Sequence, residues 1–340
     1  MDSFFDRALL AARRLGASDV HLKPGLAPIL RIAGELRTLS DVPPLSREFL
    51  HSLGLSLLND RRRETLERTG DVIVALATSN GGRQRAHLFH HRGGLSLALR
   101  LIPPEVPALD TLGLPVEVRE LTEPGAGLVI VAGGPGQGKT TTLAALVEDL
   151  TARRPCRVVT IEEPVEYLLK DRRGVVVQRE VGTDVPSSAA ALRSVSRQDL
   201  DVLVVGDLAD PAAAHLAVEA VETGRLVLAG LLAADIPQVL ERLTATPEDD
   251  TPLTRARIAA SLRGIVVQRL IPAAGGKRRG PAGTLLRVGP ETRAQLIEGR
   301  VAQGTPELPG SLAFEPPVEQ ARKRRTGDPR TAVEDDGPGD

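Results

Sequence analysis

The sequence predicts an α/β protein of two domains, the second of them built on a mostly parallel sheet. The chain has 340 residues, which is long for a single domain. In its second half, short runs of Val and Leu alternate with helical segments, a pattern typical of strands buried on both faces of a parallel sheet. In the first third of the chain the apolar runs carry more polar positions, which favours a separate, smaller domain of mixed α/β type.

The first predicted domain covers residues 1–103. Residues 4–15 place Phe4, Phe5 and Leu9 on one helical face, and Gly16 follows at the position of a left-handed C-terminal cap. Five apolar or alternating runs are predicted as strands, with helices between them: 20–22, 29–36, 72–78, 83–89 and 95–102. The proline-rich segment 104–124 cannot continue either kind of element and is predicted as an interdomain linker.

The second predicted domain, residues 125–301, repeats the order strand, turn, helix. Its predicted strands lie in GLVIVAGG, RVVTI, GVVVQ, DVLVVGD and RLVLAG, and its predicted helices in TTLAALVEDL, 187–197 and 212–222. From 302 to 340 the composition changes to Pro, Gly and charged residues, and we expect little order there.

The composition argues against several classes of protein. A formal net charge of -1, with five Phe, one Tyr and no Trp, supplies neither the basic surface nor the stacking rings of a nucleic-acid-binding protein. No apolar run approaches the roughly 20 residues of a transmembrane helix, and the N-terminus lacks the pattern of a signal peptide. The single cysteine, Cys156, cannot close an intrachain disulfide. We therefore expect a cytoplasmic protein that binds no nucleic acid and has no transmembrane segment.

A phosphate-binding loop is predicted between the strand at 128–132 and the helix that follows it. The sequence GGPGQGKT satisfies the pattern G-x-x-x-x-G-K-[ST] in that context. Glycines let successive N–H groups face a phosphate, Lys139 reaches the terminal phosphates, and Thr140 is a ligand for Mg²⁺. We therefore predict that this loop binds ATP and Mg²⁺ as cofactors and is not an ordinary Gly-rich turn. The nucleotide-binding residues are expected to be Gly133, Gly134, Pro135, Gly136, Gln137, Gly138, Lys139, Thr140 and Thr141.

Carboxylates follow two other predicted strands of this domain. Glu162 and Glu163 leave one strand, Glu166 follows on the turn, and Asp207 leaves another strand. Ligands bind at the carboxyl ends of the strands in open α/β sheets, so these four residues are predicted to be catalytic. Asp207 is also expected to be a second ligand of the metal ion. Asp210 is predicted instead to cap the helix after it.

Seven blocks of the sequence resemble the type IV pilus retraction ATPases (PilT/PilU), within the secretion ATPase superfamily of RecA-like hexameric motors. In chain order they are GASDVHLKPGLAPILRIAGELR, RQRAHLFHHRGGLSLALRLIP, GLVIVAGGPGQGKTTTLAAL, TIEEPVEY, VVQREVG, ALRSVSRQDLDVLVVGD and AVETGRLVLAGLLAAD. The resemblance implies a PAS-like N-terminal domain followed by a RecA-like P-loop NTPase domain. It also implies a homo-hexamer, or a hetero-oligomer with a paralogous ATPase, that lies peripherally at the inner membrane through a pilus or secretion platform protein.

The sequence departs from that family at two motifs. Where the family carries a glutamate after the Walker B glycine, this chain has Asp207, and where it carries two histidines, this chain has Arg225 and Leu232. The shorter carboxylate and the missing imidazoles predict slower hydrolysis, although Arg225 is still expected to present positive charge to a phosphate. The resemblance further implies that arginines of the N-terminal domain reach the nucleotide of the neighbouring subunit. The matching positions are Arg83, Arg85 and Arg100, of which Arg85 and Arg100 are predicted to be catalytic.

The leading functional hypothesis is an ATPase that couples ATP binding and hydrolysis to pilus retraction, and so to twitching motility, or to a related assembly platform. The alternative is a nucleotide-binding regulatory or structural paralogue with weak or no hydrolysis, which Asp207, Arg225 and Leu232 favour. A DNA-acting enzyme of RecA type is disfavoured by the few aromatic residues and the balanced charge.

Overall fold

Two sheets, one in each half of the chain, organise the fold. The computed structural model describes residues 3–77, 82–195, 197–244, 252–272, 279–299 and 308–315. In that part of the chain a six-stranded antiparallel sheet precedes an eight-stranded sheet that is mostly parallel. The predicted α/β class and the order of its two parts are confirmed.

The first sheet is built from short strands. They are β1 (Ala17–Leu22), β2 (Ile29–Ile32), β3 (Glu35–Thr38), β4 (Asp71–Ala77), β5 (Arg83–His91) and β6 (Gly94–Ile102). Their spatial order is β3-β2-β1-β6-β5-β4, and every neighbouring pair is antiparallel. The run 29–36, predicted as one strand, is divided between β2 and β3. Ala33 and Gly34 have φ angles of 50° and 93°, which form a two-residue hairpin turn at that point.

Three helices pack on this sheet: α1 (Ser3–Arg14), α2 (Arg47–Ser56) and α3 (Asp60–Thr69). Ser46 and Asn59 cap α2 and α3, because their side-chain oxygens accept from the main-chain N–H groups of Phe49 and Arg62 over 3.0 and 2.9 Å. Gly70, with a φ of 83°, ends α3 in the left-handed conformation. Leucines of the helices and strands share one core. On its other side α3 contacts the second domain, because Arg62 donates to the main-chain oxygen of Val181.

The second sheet has its parallel strands in the centre and antiparallel strands at one edge. Its strands are β7 (Gly127–Ala132), β8 (Arg157–Glu162), β9 (Val175–Glu180), β10 (Val202–Val205), β11 (Leu226–Leu231), β12 (Leu262–Pro272), β13 (Arg279–Arg287) and β14 (Ser311–Phe314). They lie in the order β14-β13-β12-β7-β11-β10-β8-β9, and the six from β12 to β9 are parallel. The carboxyl ends of these six strands therefore meet at one edge of the sheet.

Helices cover both faces of this sheet. They are α4 (Glu117–Glu120), α5 (Lys139–Arg153), α6 (Ser188–Val195), α7 (Pro211–Glu222), α8 (Ile236–Thr244), α9 (Pro252–Ser261) and α10 (Pro290–Ile297). Every residue of β7, β10 and β11 is buried, as the apolar runs predict. Asp210 caps α7 as predicted, because its carboxylate accepts from the N–H of Ala212 over 3.0 Å. Among the helices of the described ranges, none is long and apolar enough to cross a membrane.

The segment predicted as a linker, 104–124, is folded against the second domain. It contains a 3₁₀ turn at Leu109–Thr111 and the short helix α4. Val118 and Leu121 are 0% and 2% exposed and belong to the core formed with β7 and α5. The connection between the domains is thus part of the packing of the second one.

The prediction of little order after residue 301 is wrong for residues 308–315. Within them, β14 pairs antiparallel with β13 and extends the sheet. Leu308 and Phe314 are each 7% exposed. The sequence around them is polar, so it gives no apolar run, although Leu308 and Phe314 are buried and anchor one short strand. The rest of the predicted tail lies outside the described residues.

Candidate functional site

The predicted phosphate-binding loop connects β7 to α5 at the carboxyl edge of the parallel strands. Gly136 and Gly138 have φ angles of 69° and 88°, a conformation that residues with a side chain rarely adopt. The ammonium of Lys139 donates to the main-chain oxygens of Gly133 and Gly134 over 2.9 and 3.0 Å. Lys139 is therefore held within the loop that its predicted phosphate partner would enter.

Charges from three distant segments meet at Lys139. Burial lowers the pKa of its ammonium, Asp207 and Glu166 oppose that change, and Arg85 adds to it. The structure thus brings together three predicted site residues around the lysine, although they come from β5, from the turn after β8 and from the end of β10. The places of Glu166 and Asp207 after their strands indicated this proximity, whereas Arg85 was expected at the site of a neighbouring subunit.

A buried glutamine on β12, which no motif indicated, supports the loop. Gln268 is 3% exposed, and its side-chain amide donates to the main-chain oxygen of Gln137 over 2.7 Å and accepts from the hydroxyl of Thr142 over 2.9 Å. The side chain of Gln137 in turn accepts from the N–H of Leu270 over 2.6 Å. A Cβ atom on Gly133 would lie 2.5 Å from the main-chain oxygen of Gln268, so glycine permits the contact. The available signal was a polar residue inside the apolar run GIVVQRL.

Thr140 and Glu162 line the same small cavity beside the loop, together with Gly206. Its volume of about 20 Å³ is room for about one water molecule. The hydroxyl of Thr160 and the amide of Gln178 donate to one oxygen of the Glu162 carboxyl group over 2.6 and 3.0 Å. These bonds fix the carboxyl group of Glu162 beside the predicted metal ligand.

Burial makes the carboxyl group of Glu162 a weaker acid than that of an exposed glutamate. It raises the pKa of the Glu162 carboxyl group, an effect that the hydrogen bonds from Thr160 and Gln178 oppose and that the charges of Glu166 and Glu180 reinforce. Glu162 therefore holds a proton more strongly than an exposed glutamate. A cation arriving in the cavity would favour its ionised form.

Asp207 follows β10 and lies at the same edge of the sheet. Main-chain hydrogen bonds of the residues on either side, Gly206 and Leu208, fix its backbone between β8 and β11. Although the residue as a whole is exposed, partial burial of the carboxyl group raises the pKa of Asp207, and the charges of Lys139 and Arg242 oppose this. Asp207 thus lies within electrostatic reach of Lys139, as its predicted catalytic role requires.

Three other predicted residues of this region, Glu163, Glu166 and Thr141, do not line this cavity. Glu163 is exposed and does not line the cavity. Glu166 forms an ion pair with Arg85 of the first domain, with a distance of 3.6 Å between their charged atoms. The hydroxyl of Thr141 lies 3.1 Å from that of Tyr167 and hydrogen-bonds to it, so Thr141 contacts the protein here.

Arg85 and Arg100 lie directly opposite one another on β5 and β6. Like charges in that relation repel unless anions face them. Arg85 pairs with Glu166, and the Nε atom of Arg100 donates to the Asp19 carboxylate over 3.0 Å. The Arg100 guanidinium also lies 3.0 Å from the point where a Cβ atom of Gly136 would stand. Both arginines therefore face the site of their own chain, and the contribution to a neighbouring subunit stays a prediction.

The expectation that Arg225 presents charge to a phosphate is wrong for the loop of its own chain. Arg225 precedes β11, which runs parallel to β7 for six residues, so it lies at the opposite edge of the sheet, about 20 Å from the loop. Its guanidinium donates to the main-chain oxygen of Thr223 over 2.7 Å. Leu232 follows β11 at the correct edge, since Gly133 donates to the oxygen of Leu231 over 3.2 Å, but it can neither donate nor titrate there.

The strand order indicates the class of protein. The phosphate-binding loop leaves β7, Asp207 leaves β10, and β11 lies between these two strands. A loop and a carboxylate separated by one parallel strand is the arrangement of the RecA-like P-loop ATPases, the class that the fold and the site define.

Within that class, the chain belongs to the Type II/IV secretion system protein family, whose model matches residues 4–301. It is 32% identical over 297 residues to the type IV pilus retraction ATPase PilT of Pseudomonas aeruginosa, covering 87% of this chain and 86% of that protein. The type IV pilus ATPase PilU of the same organism is 32% identical over 276 residues, covering 81% and 72%. The crystal structure of the pilus retraction motor PilT with bound ADP is similar, with a TM-score of 0.79 at 34% identity, covering 94% and 88%. The family and the ATPase class predicted from the motifs are confirmed.

Proposed function

We propose that this chain is one subunit of a motor of the pilus-retraction type, and that it binds and hydrolyses ATP between the phosphate-binding loop and the carboxylates of β8 and β10. The observation that carries this proposal is that the carbonyl groups of the loop hold Lys139, while the next residue, Thr140, shares a cavity with Glu162. The similarity to PilT extends over nearly the whole chain, which supports a motor as well as a nucleotide-binding protein.

Mg²⁺ is the second cofactor in this proposal. Searched over the described ranges, the chain has no cluster of three His, Cys, Asp or Glu side chains suited to a metal. A magnesium ion held by one hydroxyl group, a carboxylate and the phosphates of ATP needs no such cluster. Thr140 and Glu162, which share a cavity, fit that need, and Asp207 supplies a second carboxylate at the same edge. The ion would neutralise charge on the phosphates when bound.

Asp207 is the residue proposed to polarise the attacking water. Its raised pKa makes the carboxylate a better proton acceptor near neutral pH. Its side chain is one methylene group shorter than the glutamate of the family, which places its oxygens farther from a water at the γ-phosphate. A displacement of about 1 Å lowers a rate by roughly a hundredfold, so we propose slow hydrolysis.

Arginines are proposed to complete the site in the assembled protein. Arg85 and Arg100 form a pair of cross-strand positive charges, and Arg85 lies close enough to lower the pKa of Lys139. In a ring of subunits, rotation of the first domain would present this pair to the phosphates of a neighbour. A guanidinium group there stabilises the charge of the transition state.

The assembly and the location follow from the resemblance to pilus ATPases. We propose a homo-hexamer, or a hetero-oligomer with a paralogous ATPase, in the cytoplasm. A platform protein of the inner membrane is the proposed partner through which the ring acts on the pilus. The same motor would serve either pilus retraction or a related assembly platform.

A regulatory or structural subunit is the second candidate function, and Leu232 is the observation that favours it. Leu232 follows the residue whose main-chain oxygen accepts from Gly133 of the loop, at the position where the family has an imidazole, and its side chain can offer no hydrogen bond to a phosphate. With the shorter Asp207, the site would then bind ATP without turning it over at a useful rate.

Phosphate release separates the two functions. The wild-type chain and Lys139→Ala are compared in steady state with Mg²⁺ and ATP, and binding is followed with a fluorescent ATP analogue because the chain contains no Trp. A motor releases phosphate faster than Lys139→Ala, whereas a regulatory subunit binds the analogue without that difference. If both chains bound the analogue with equal affinity, the proposed nucleotide site would be wrong.

A further inference from the structure

Two arginines of the first domain contact the segment that carries Glu162, Glu163 and Glu166, and a third contacts Glu180, which is bonded to that segment. Arg85 pairs with Glu166, Arg83 donates to the main-chain oxygen of Val165 over 2.7 Å, and Arg62 lies 3.5 Å from the carboxylate of Glu180. Arg83 is itself held, because Arg13 donates to its main-chain oxygen over 2.6 Å. We name the segment from Glu162 to Glu166 the carboxylate turn.

Glu180, the last residue of β9, connects the carboxylate turn to the first domain. One of its carboxylate oxygens accepts from the main-chain N–H of Val165 over 3.1 Å. The other forms the ion pair with Arg62 and accepts from the hydroxyl of Thr183 over 2.8 Å. Its side chain is 15% exposed. A single carboxylate thus holds the turn on one side and an arginine of the first domain on the other.

Arg62 fits closely in the second domain. It is 7% exposed, although it is an arginine, and it donates to the main-chain oxygen of Val181 over 2.8 Å. Its guanidinium atoms lie 2.6 to 2.8 Å from the point where a Cβ atom of Gly182 would stand, and Gly182 has a φ of 82°. Removing one partner of such a buried pair leaves the other charge unpaired, which is strongly unfavourable. The contact therefore forms or is lost as a unit.

We propose that Glu180 is a positioning residue for the carboxylate turn and that Arg62 makes this positioning depend on the docking of the first domain. Both polar groups of Val165 are fixed in the docked arrangement, the N–H by Glu180 and the oxygen by Arg83. Movement of the first domain would withdraw Arg62 and Arg83 together and release the turn. The proposal rests on ATP hydrolysis at this site and adds a route by which domain movement controls it.

The test compares Arg62→Ala, Glu180→Gln and their double variant in the full-length protein. Glu180→Gln keeps an oxygen that accepts from Val165 and removes only the charge that pairs with Arg62. We expect each single variant to lower kcat between tenfold and about a hundredfold, the loss typical of a displacement near 1 Å. Affinity for the fluorescent ATP analogue should stay within about twofold, because the phosphate-binding loop is untouched. The kcat of the double variant should be no lower than that of the less active single variant, since both changes remove the same interaction.

Arg61→Ala is the matched control, because Arg61 lies on the same helix and is exposed. It should leave kcat unchanged. Losses of kcat that add in the double variant, or a lower melting temperature with an unchanged kcat, would overturn the proposal. Lys139→Ala tests the proposed function separately, since it removes hydrolysis whether or not Glu180 positions the turn.

Hydrogen exchange gives a readout that does not depend on turnover. The N–H of Val165 is bonded to Glu180 in the docked arrangement, so Arg62→Ala should accelerate its exchange several-fold while exchange in β7 stays slow. Unchanged exchange at Val165 in Arg62→Ala would overturn the link between Arg62 and the turn even if the protein hydrolyses no ATP.

Discussion

The side-chain amide of Gln268 donates to the main-chain oxygen of Gln137 over 2.7 Å, joining two residues 131 positions apart in the chain. The bond connects β12 to the centre of the phosphate-binding loop. The shape of that loop therefore depends on a strand that contributes no residue to the motif GGPGQGKT.

Gln268→Ala should weaken nucleotide binding. The change leaves the oxygen of Gln137 and the hydroxyl of Thr142 without their partner, at a cost of about 1–3 kcal/mol for each unsatisfied buried group. Part of that cost falls on the loop in its binding conformation, so the Kd for a fluorescent ATP analogue should rise about tenfold, and the melting temperature should fall. Gln295→Ala, at a partly exposed position of α10, is the control. A lower melting temperature with an unchanged Kd would mean that Gln268 supports the fold alone.

Glu162→Gln should stabilise the fold at alkaline pH. Because burial raises the pKa of Glu162 above the value of 4.5 for an exposed glutamate, the folded chain binds this proton more tightly than the unfolded chain does. Stability is therefore lost as the pH rises from that value through the higher pKa of the folded state. Glutamine keeps an oxygen that accepts from Thr160 and Gln178 and carries no charge. Its melting temperature should exceed that of the wild type more at pH 8 than at pH 5.

Glu163→Gln serves as the control for that experiment, because Glu163 is exposed and its carboxylate stays in water in the folded chain. It should not reproduce the gain at pH 8. Glu162→Gln should at the same time lower ATP turnover if Glu162 serves the metal ion. Equal melting temperatures of Glu162→Gln and the wild type at pH 8 would contradict the account of Glu162.

Asp207→Glu should raise ATP turnover. The substitution moves the carboxylate outward by one methylene group, toward the position that the family glutamate occupies, and leaves the backbone bonds of Gly206 and Leu208 in place. We expect an increase of tenfold or more in kcat, measured by phosphate release, with little change in affinity for the fluorescent analogue. The prediction is contradicted if the wild-type chain already hydrolyses ATP as fast as an intact pilus ATPase measured beside it.

The parallel core could be predicted closely because its strands are continuous apolar runs. β7 and β10 lie within the predicted runs GLVIVAGG and DVLVVGD, and β11 begins and ends one residue after RLVLAG. The sequence does not predict β12, since Gln268 interrupts its apolar run and its partner β7 is remote in the chain. The sequence does not predict β14 for a related reason: two apolar side chains within a polar segment do not form a recognisable run.

Those residues of the candidate site that lie in motifs could be predicted from the sequence. Lys139, Thr140 and Asp207 follow from their places after buried strands. The position of Arg225 was also accessible, because a residue that precedes a parallel strand must lie at the edge away from the phosphates. The roles of Gln268 and Glu180 were not accessible, since each acts through contacts between segments that only the folded chain brings together.

Mixing two inactive variants tests whether subunits complete one another's sites. Lys139→Ala keeps Arg85 and Arg100, and the double variant Arg85→Ala/Arg100→Ala keeps the phosphate-binding loop. If the two arginines act on a neighbouring subunit, a mixed ring contains interfaces that pair one intact half from each variant, and part of the ATP turnover should return. An arginine supplied in this way is worth about 10³ to 10⁵ in rate where it has been measured, so partial recovery is readily detected. The structure places both arginines toward the site of their own chain, with Arg100 beside Gly136. A mixture that is shown to co-assemble and yet stays inactive would mean that the arginines act within one subunit, in the arrangement that the single chain already displays.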